Sequence, residues 1–345
     1  MAVLKAVVVI TAAFLLIMLM SYWAAGRARP VLDAAARANL VKLGLAYSFV
    51  ELKDGVVHYR LEGPAGGPLI VLVHGFSTPS FVWNDYFAPL TRAGYRVLSF
   101  DIYGRGFSDR PATRYDADLS DRELEELLDK LAPGEPVHLV GYSMGGAVTT
   151  IFAARHPERA RSLTLIAPAG LGVAKSDNAE LLKRPLIGDW IVRMFGLKIF
   201  HAAAADQARF APDPTRFLTD FDRQMDYRGY GDALLSTLRY YPLTGSDAAY
   251  AEAGRAARPV MVIWGEADDT VPFSNAKKLM ELMPRAKLYS YPKLGHEIGF
   301  SQSAMLSGLI ADFLNSQGEA KPGGASPAIR LEARPEKHPV KEEVQ

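Results

Sequence analysis

Pro136-Val137-His138-Leu139-Val140-Gly141-Tyr142-Ser143-Met144-Gly145-Gly146 is the stretch on which the fold of this chain turns. A largely apolar run ends in Gly-x-Ser-x-Gly and passes into small, helix-compatible residues, Gly146-Ala147-Val148. A strand, a tight turn and a helix in that order describe a nucleophile elbow. Glycines two positions either side of the serine let strand and helix approach without side-chain collision. The hydroxyl then stands at the helix N-terminus, where backbone N–H groups face developing negative charge. The same residues also suit a plain glycine-rich turn, so the reading depends on whether a base and an orienting acid follow.

On both sides of the elbow, apolar strands alternate with helical segments. Tyr47–Glu51 and Val56–Arg60 alternate at period two and read as a hairpin. Leu69–Val73, Tyr95–Phe100, Ser162–Ile166, Pro259–Trp264 and Lys287–Tyr291 read as further strands, with helices expected over Asp121–Leu131 and Ala304–Phe313. Near-continuous apolar strands separated by helices imply a parallel sheet covered on both faces.

The base and the acid follow in order. Gly265-Glu266-Ala267-Asp268-Asp269 lies beyond the penultimate strand, and Gly295-His296 beyond the last. Asp268, four residues past Trp264, is the favoured acid, with Asp269 and Glu266 as competitors. Of the histidines at 58, 74, 138, 156, 201, 296 and 338, only His296 and His338 lie after the final strand and downstream of both partners, and His338 falls in the tail expected to be disordered, which leaves His296. His138, inside the elbow strand, reads as a core residue. Such a serine also needs backbone donors for an oxyanion. Met144, next after Ser143, would supply one, and Phe76, in the loop His74-Gly75-Phe76 after an earlier strand, the other.

Ala6–Ala25 carries no charge over 20 residues. As a helix it is about 30 Å long, the thickness of a bilayer's hydrocarbon core. Tyr22 and Trp23, then Arg27 and Arg29, fit an aromatic-then-basic interface. An uncleaved anchor is therefore expected, with a cleaved signal peptide as its rival and the membrane side left open. Leu32–Leu45 reads as helical. Residues 168–258 hold no strand signal but many large apolar side chains, among them Leu186, Trp190, Phe195, Phe200, Phe217, Phe221 and Tyr241. That length cannot be a loop and reads as a helical cap. The expected organisation is an anchor over 1–26, a juxtamembrane helix over 27–45, a core in two parts over 46–170 and 258–315, a cap over 171–257, and a disordered tail over 316–345.

The chain has 345 residues and a net charge of +1, which gives no reason to expect nucleic acid as a partner. It has no cysteine, so disulfides, thiolate metal sites and cysteine catalysis are excluded. It has no phosphate-binding Gly-x-x-x-x-Gly-Lys loop, and Gly104-Arg105-Gly106 lacks the third glycine of a dinucleotide site. No cofactor or metal is expected. Oligomeric state cannot be read from these residues.

His74-Gly75-Phe76, Asp101–Ser108, Gly141–Gly146, Gly265–Asp268 and Gly295-His296 together resemble the α/β-hydrolase superfamily over roughly residues 45 to 315. The resemblance implies a mostly parallel eight-stranded sheet flanked by helices with a helical cap insertion. It makes Asp101–Ser108 a structural turn packed under the site. Ser143 at the elbow removes the members that carry aspartate there. The N-terminal anchor, the cap and Ala167–Leu171 are similar to membrane-anchored monoacylglycerol lipases and bacterial phospholipases. A serine hydrolase of carboxylic esters, acting on acyl lipids or small esters, is therefore expected. Carbon–carbon bond hydrolases of ring-cleavage products and cofactor-free haloperoxidases share the elbow. A non-catalytic binding protein is the alternative of a different class.

Overall fold

A computed structural model describes residues 1–45 and 47–317; the tail reading, beyond Gln317, lies outside the described residues. At the N-terminus, α1 (Ala2–Arg27) is one uninterrupted helix without a buried residue. Apolar side chains occupy every face of it, so no single stripe seeks a protein core. Asp33 then caps α2 (Ala34–Lys42), its carboxylate accepting the Ala36 amide at 2.8 Å. The helix expected over 32–45 is shortened at both ends. Leu32 and Leu40 turn inward onto Phe107, and Arg37 pairs with Asp109, so this segment is strapped to the core.

The strands are β1 (Ser48–Leu52), β2 (Gly55–Glu62), β3 (Leu69–Val73), β4 (Arg96–Phe100), β5 (Val137–Tyr142), β6 (Ala160–Ile166), β7 (Val260–Gly265) and β8 (Lys287–Tyr291). They form one eight-stranded sheet in the order β1-β2-β4-β3-β5-β6-β7-β8. The β1–β2 hairpin pairs antiparallel to β4, and every other neighbour is parallel. β3, β5 and β7 are buried at every position, which only cover on both faces allows. The helices that follow α2 are α3 (Asn84–Arg92), α4 (Ala117–Leu131), α5 (Met144–Arg155), α6 (Asp177–Lys183), α7 (Ile187–Ala208), α8 (Pro214–Arg223), α9 (Tyr230–Tyr240), α10 (Asp247–Arg255), α11 (Asn275–Leu282), α12 (Ile298–Ser301) and α13 (Ser303–Asn315). The chain leaves β3 towards β4 on one side and β5 towards β6 on the other. The carboxyl ends of β3 and β5 therefore border a crevice where the strand order reverses.

The insertion between β6 and β7 is helical throughout, and it divides. A small cluster of Ala204, Phe221, Met225, Tyr230 and Leu234 gives α7–α9 their own core, against which Phe76 and Phe81 also pack. The boundary expected at 257 moves, because α10 packs on α5 and α11 rather than on the cap. Tyr250 of α10 is fully buried, and its hydroxyl donates to the Ala169 carbonyl at 2.5 Å. That tyrosine joins α10 to the sheet side, which spacing along the chain does not disclose.

Candidate active site

Ser143 stands in the crevice at the end of β5, with φ 55° and ψ −121°. A side-chain-bearing residue adopts such a conformation at a cost of about 1–3 kcal/mol. Hydrogen bonds on both sides hold it. The Ser143 amide donates to the Ile166 carbonyl, and the Ser143 carbonyl accepts from the Gly146 and Ala169 amides, each at 2.9 Å. A Cβ on Gly145 would collide with the Val73 carbonyl oxygen, and one on Gly141 with the Gly145 carbonyl oxygen. Glycine at these two positions is what lets strand and helix meet at so tight a turn.

The structure brings Ser143, His296 and Asp268 together. His296 Nε2 lies 2.9 Å from Ser143 Oγ, and Nδ1 lies 2.8 Å from Asp268 Oδ2. The other Asp268 oxygen accepts the amides of Thr270 at 2.9 Å and Val271 at 2.8 Å. With Oδ1 occupied by two donors, Oδ2 is left for the imidazole. This pattern assigns the proton to Nδ1 and leaves a lone pair on Nε2 facing the serine hydroxyl. Neither competing carboxylate reaches the imidazole: Glu266 accepts the Ser290 hydroxyl at 2.6 Å, and Asp269 is exposed beside Thr270. Tyr142, which the sequence reading passed over, steadies the histidine. Its hydroxyl donates to the His296 carbonyl at 2.8 Å, and the two rings lie 5.2 Å apart. Its only sequence signal was its place inside Gly-x-Ser, where any residue is allowed.

The loop after β3 meets the serine from the other side. A Cβ placed on Gly75 would stand 3.2 Å from Ser143 Cβ. Phe76 and Met144 thus flank Ser143, one from this loop and one from the first turn of α5. Asp101, at the end of β4, holds the loop in place. Its carboxylate accepts from His58 Nδ1 at 2.7 Å, the Ser80 amide at 2.8 Å, the Ser80 hydroxyl at 2.6 Å and the Phe107 amide at 2.9 Å. Burial by itself would raise this carboxyl, but His58, His74 and Ser80 outweigh it and hold it well below the usual carboxylate range. His74 is fully buried. Its Nε2 accepts the Ile102 amide at 2.9 Å while Nδ1 donates to the Gly75 carbonyl, also at 2.9 Å. Burial, against the pull of Asp101, takes its pKa down to about 4. His138 lies inside β5, buried and 2.8 Å from the Ser162 hydroxyl, away from this cluster.

Ser143 is 8% exposed. Phe217 of α8 inserts between Phe81 and Phe300, with ring centroids 5.2 and 5.0 Å away. Outside that stack lie cavities of about 390 and 210 Å3, both bordered by Arg216 and Asp220 of α8. Among the described residues no group of three His, Asp or Glu side chains gathers as a metal site requires.

Residues 70–306 match the sequence model of the alpha/beta hydrolase family. The chain belongs to that family. A 2-hydroxy-6-oxononadienedioate/2-hydroxy-6-oxononatrienedioate hydrolase of Cupriavidus pinatubonensis is 27% identical over 288 residues, 78% of this chain and 95% of the relative. Among solved structures, a meta-cleavage product hydrolase from Pseudomonas fluorescens superposes with a TM-score of 0.61 at 24% identity, over 79% of this chain and 98% of that one. A bacterial membrane phospholipase A superposes with a TM-score of 0.65 at 22% identity, over 92% of this chain and 99% of that one. The family and its relatives make this chain a hydrolase enzyme.

Proposed function

We propose that this α/β-hydrolase cleaves carboxylic esters of acyl lipids while held to a membrane by α1. The hydrogen-bonded line from Asp268 through His296 to Ser143 carries the reading. Ser143 Oγ attacks the ester carbonyl as His296 Nε2 takes its proton. The tetrahedral oxyanion rests against the Phe76 and Met144 amides. Collapse breaks the ester C–O bond, and His296 returns the proton to the departing alcohol oxygen. Water, deprotonated by the same imidazole, then cleaves the acyl-enzyme and releases the fatty acid with Ser143 restored.

Two features support a lipid substrate. α1 is long and apolar enough to cross a bilayer, and its C-terminal end lies on the cap: Arg193 of α7 stacks on Tyr22 at 4.3 Å and crowds Gly26. In and just before α7, the helix that α1 contacts, the cap exposes Leu186 (83%), Ile187, Phe195 (46%) and Ile199. Burying each such side chain returns about 1.5–3 kcal/mol, which a membrane next to α1 would supply. The membrane phospholipase superposes on a larger share of this chain, 92%, than the meta-cleavage hydrolase, 79%.

A second reading, carbon–carbon bond hydrolysis, is favoured by the activity named for the Cupriavidus relative. It needs a cation in the pocket for a dienoate carboxylate. Of the candidates Lys183, Arg184 and Arg193, the first is paired with Glu180 at 2.7 Å and the last with Asp232 at 2.8 Å beside α1, while Arg184 is exposed and has no carboxylate partner among the described residues. Fluorophosphonate labelling lost in Ser143→Ala, followed by p-nitrophenyl acyl esters, monoacylglycerols and lysophospholipids, tests the first reading. Absence of turnover across that panel, with cleavage of a ring-fission dienoate, would replace it by the second.

A further inference from the structure

Arg105 sits in the turn Gly104-Arg105-Gly106 and is 1% exposed. Its guanidinium reaches three segments. Nε donates to the Phe76 carbonyl at 2.9 Å, Nη1 to the Tyr103 carbonyl at 3.1 Å, and Nη2 to the Thr237 hydroxyl at 2.8 Å. Thr237 lies on α9 of the cap and spends its own proton on the Ala233 carbonyl at 2.9 Å, so its oxygen is free to accept. The guanidinium also lies 5.6 Å from the Phe76 ring and 5.9 Å from the Tyr115 ring. A small void of about 10 Å3 is bordered by Arg105, Met144 and Thr237 together. Arg105 thus adjoins both residues to which the oxyanion amides are assigned.

All three acceptors are neutral. No Asp or Glu of the described residues forms an ion pair with Arg105. The nearby buried acid Glu123 turns its carboxylate to the Tyr103 amide at 2.7 Å, and burial raises its pKa well above the usual range. A guanidinium keeps its proton in any protein interior. Holding a buried charge without a counter-ion costs several kcal/mol, which neutral side chains making the same bridge would not. The charge is useful in one respect: a fixed positive centre behind the amides stabilises negative charge that develops in front of them. Its field is already felt in the loop, where Arg105 disfavours protonation of His74.

We propose that Arg105 is a positioning residue for the oxyanion site. It grips the loop at the Phe76 carbonyl, one peptide beyond the Phe76 amide, latches that loop to the cap through Thr237, and places a positive charge without a paired carboxylate beside Phe76 and Met144. This rests on the serine-hydrolase reading above. A substrate that seats the cap would thereby also settle the loop that receives the oxyanion.

The test uses the full chain in detergent micelles with a short, water-soluble p-nitrophenyl ester. The number of active sites is titrated by the end-point of fluorophosphonate labelling, so that only folded enzyme is counted. Arg105→Met is expected to lower kcat per titrated site about 10- to 100-fold, less than deleting an oxyanion donor itself. KM should stay within about threefold, and affinity for a trifluoromethyl ketone analogue of the tetrahedral state should fall by the same factor as kcat/KM. Arg105→Lys, which keeps the charge and loses the fork, should recover part of kcat. Thr237→Val, which cuts only the latch, should lose about three- to tenfold. A purely structural arginine would reduce the number of titratable sites and leave kcat per site and ketone affinity unchanged; that result overturns the proposal. If Arg105→Met yields no folded protein, wild-type values per site in both Arg105→Lys and Thr237→Val overturn it equally. A wild-type chain that neither labels nor turns over ester refutes the serine-hydrolase reading itself.

Discussion

Replacing Asp268 by Asn should disable the imidazole while leaving its surroundings in place. The two backbone donors at Asp268 Oδ1, Thr270 and Val271, can be met only by an oxygen. They therefore orient the Asn amide with its oxygen at Oδ1 and its NH2 group at Oδ2, 2.8 Å from His296 Nδ1. Facing a donor, Nδ1 must accept, and the imidazole proton moves to Nε2. Nε2 then points a hydrogen at Ser143 Oγ across the 2.9 Å gap and can no longer take the hydroxyl proton. A tautomer reversal of this kind lowers kcat by about 10⁴-fold in a serine protease, equivalent to about 5.4 kcal/mol of transition-state stabilisation. The assay is hydrolysis of p-nitrophenyl butyrate, with thermal unfolding followed in parallel. KM should stay within about threefold, because the ester makes no contact with this carboxyl. Asp269→Asn and Glu266→Gln should behave as wild type. A folded Asp268→Asn enzyme retaining more than about a tenth of wild-type kcat would refute the tautomer argument.

Acid should destabilise the fold before it protonates the carboxylates that titrate in their usual range. His74, with a pKa of about 4 in the folded chain and about 6.5 when unfolded, binds fewer protons folded than unfolded between those values. Its contribution, about 3 kcal/mol from the size of that shift, is fully present above pH 6.5 and lost as pH falls towards 4. His138, likewise lowered to about 4 by burial, adds to it. Urea unfolding at pH 7, 5.5 and 4.5 measures the slope, and stability that stays level across that range would rule the argument out. Gly145→Ala should prevent soluble expression because its Cβ meets the Val73 carbonyl, whereas Gly308→Ala in α13, with open space around it, should raise stability by about 0.5–1 kcal/mol. Leu186→Glu with Phe195→Glu should slow hydrolysis of vesicle-embedded monoacylglycerol and leave a soluble ester unaffected; equal loss on both substrates would contradict a membrane-seated cap.

Much of this molecule was legible from one dimension. The strands announced themselves because parallel strands buried on both faces must be apolar throughout, as Leu69–Val73 and Val137–Tyr142 are. The elbow was legible because its two glycines answer to backbone collisions that no other residue survives. Asp268 and His296 could be placed after their strands by chain order. Choosing Asp268 over Asp269 and Glu266 was an expectation until the amides of Thr270 and Val271 were seen to aim one carboxylate at the imidazole.

Other features lay outside any reading of spacing. Tyr142, Asp101 and Arg105 act through partners such as the His296 carbonyl, Ser80 and Thr237, which lie 154, 21 and 132 residues away, and long-range partners leave no local pattern. The assignment of α10 to the core came from its packing on α5 and α11 with Tyr250 buried, and the seat of α1 from its packing on α7, where Arg193 stacks on Tyr22. By itself the sequence determined a mostly parallel sheet, a serine at a strand-to-helix elbow and an apolar N-terminal helix, because each is set by periodicity or by backbone sterics. Only the tertiary structure decided which acid faces the histidine, which cap residue Arg105 reaches and which cap helix adjoins α1. Those are contacts between surfaces that chain order does not constrain.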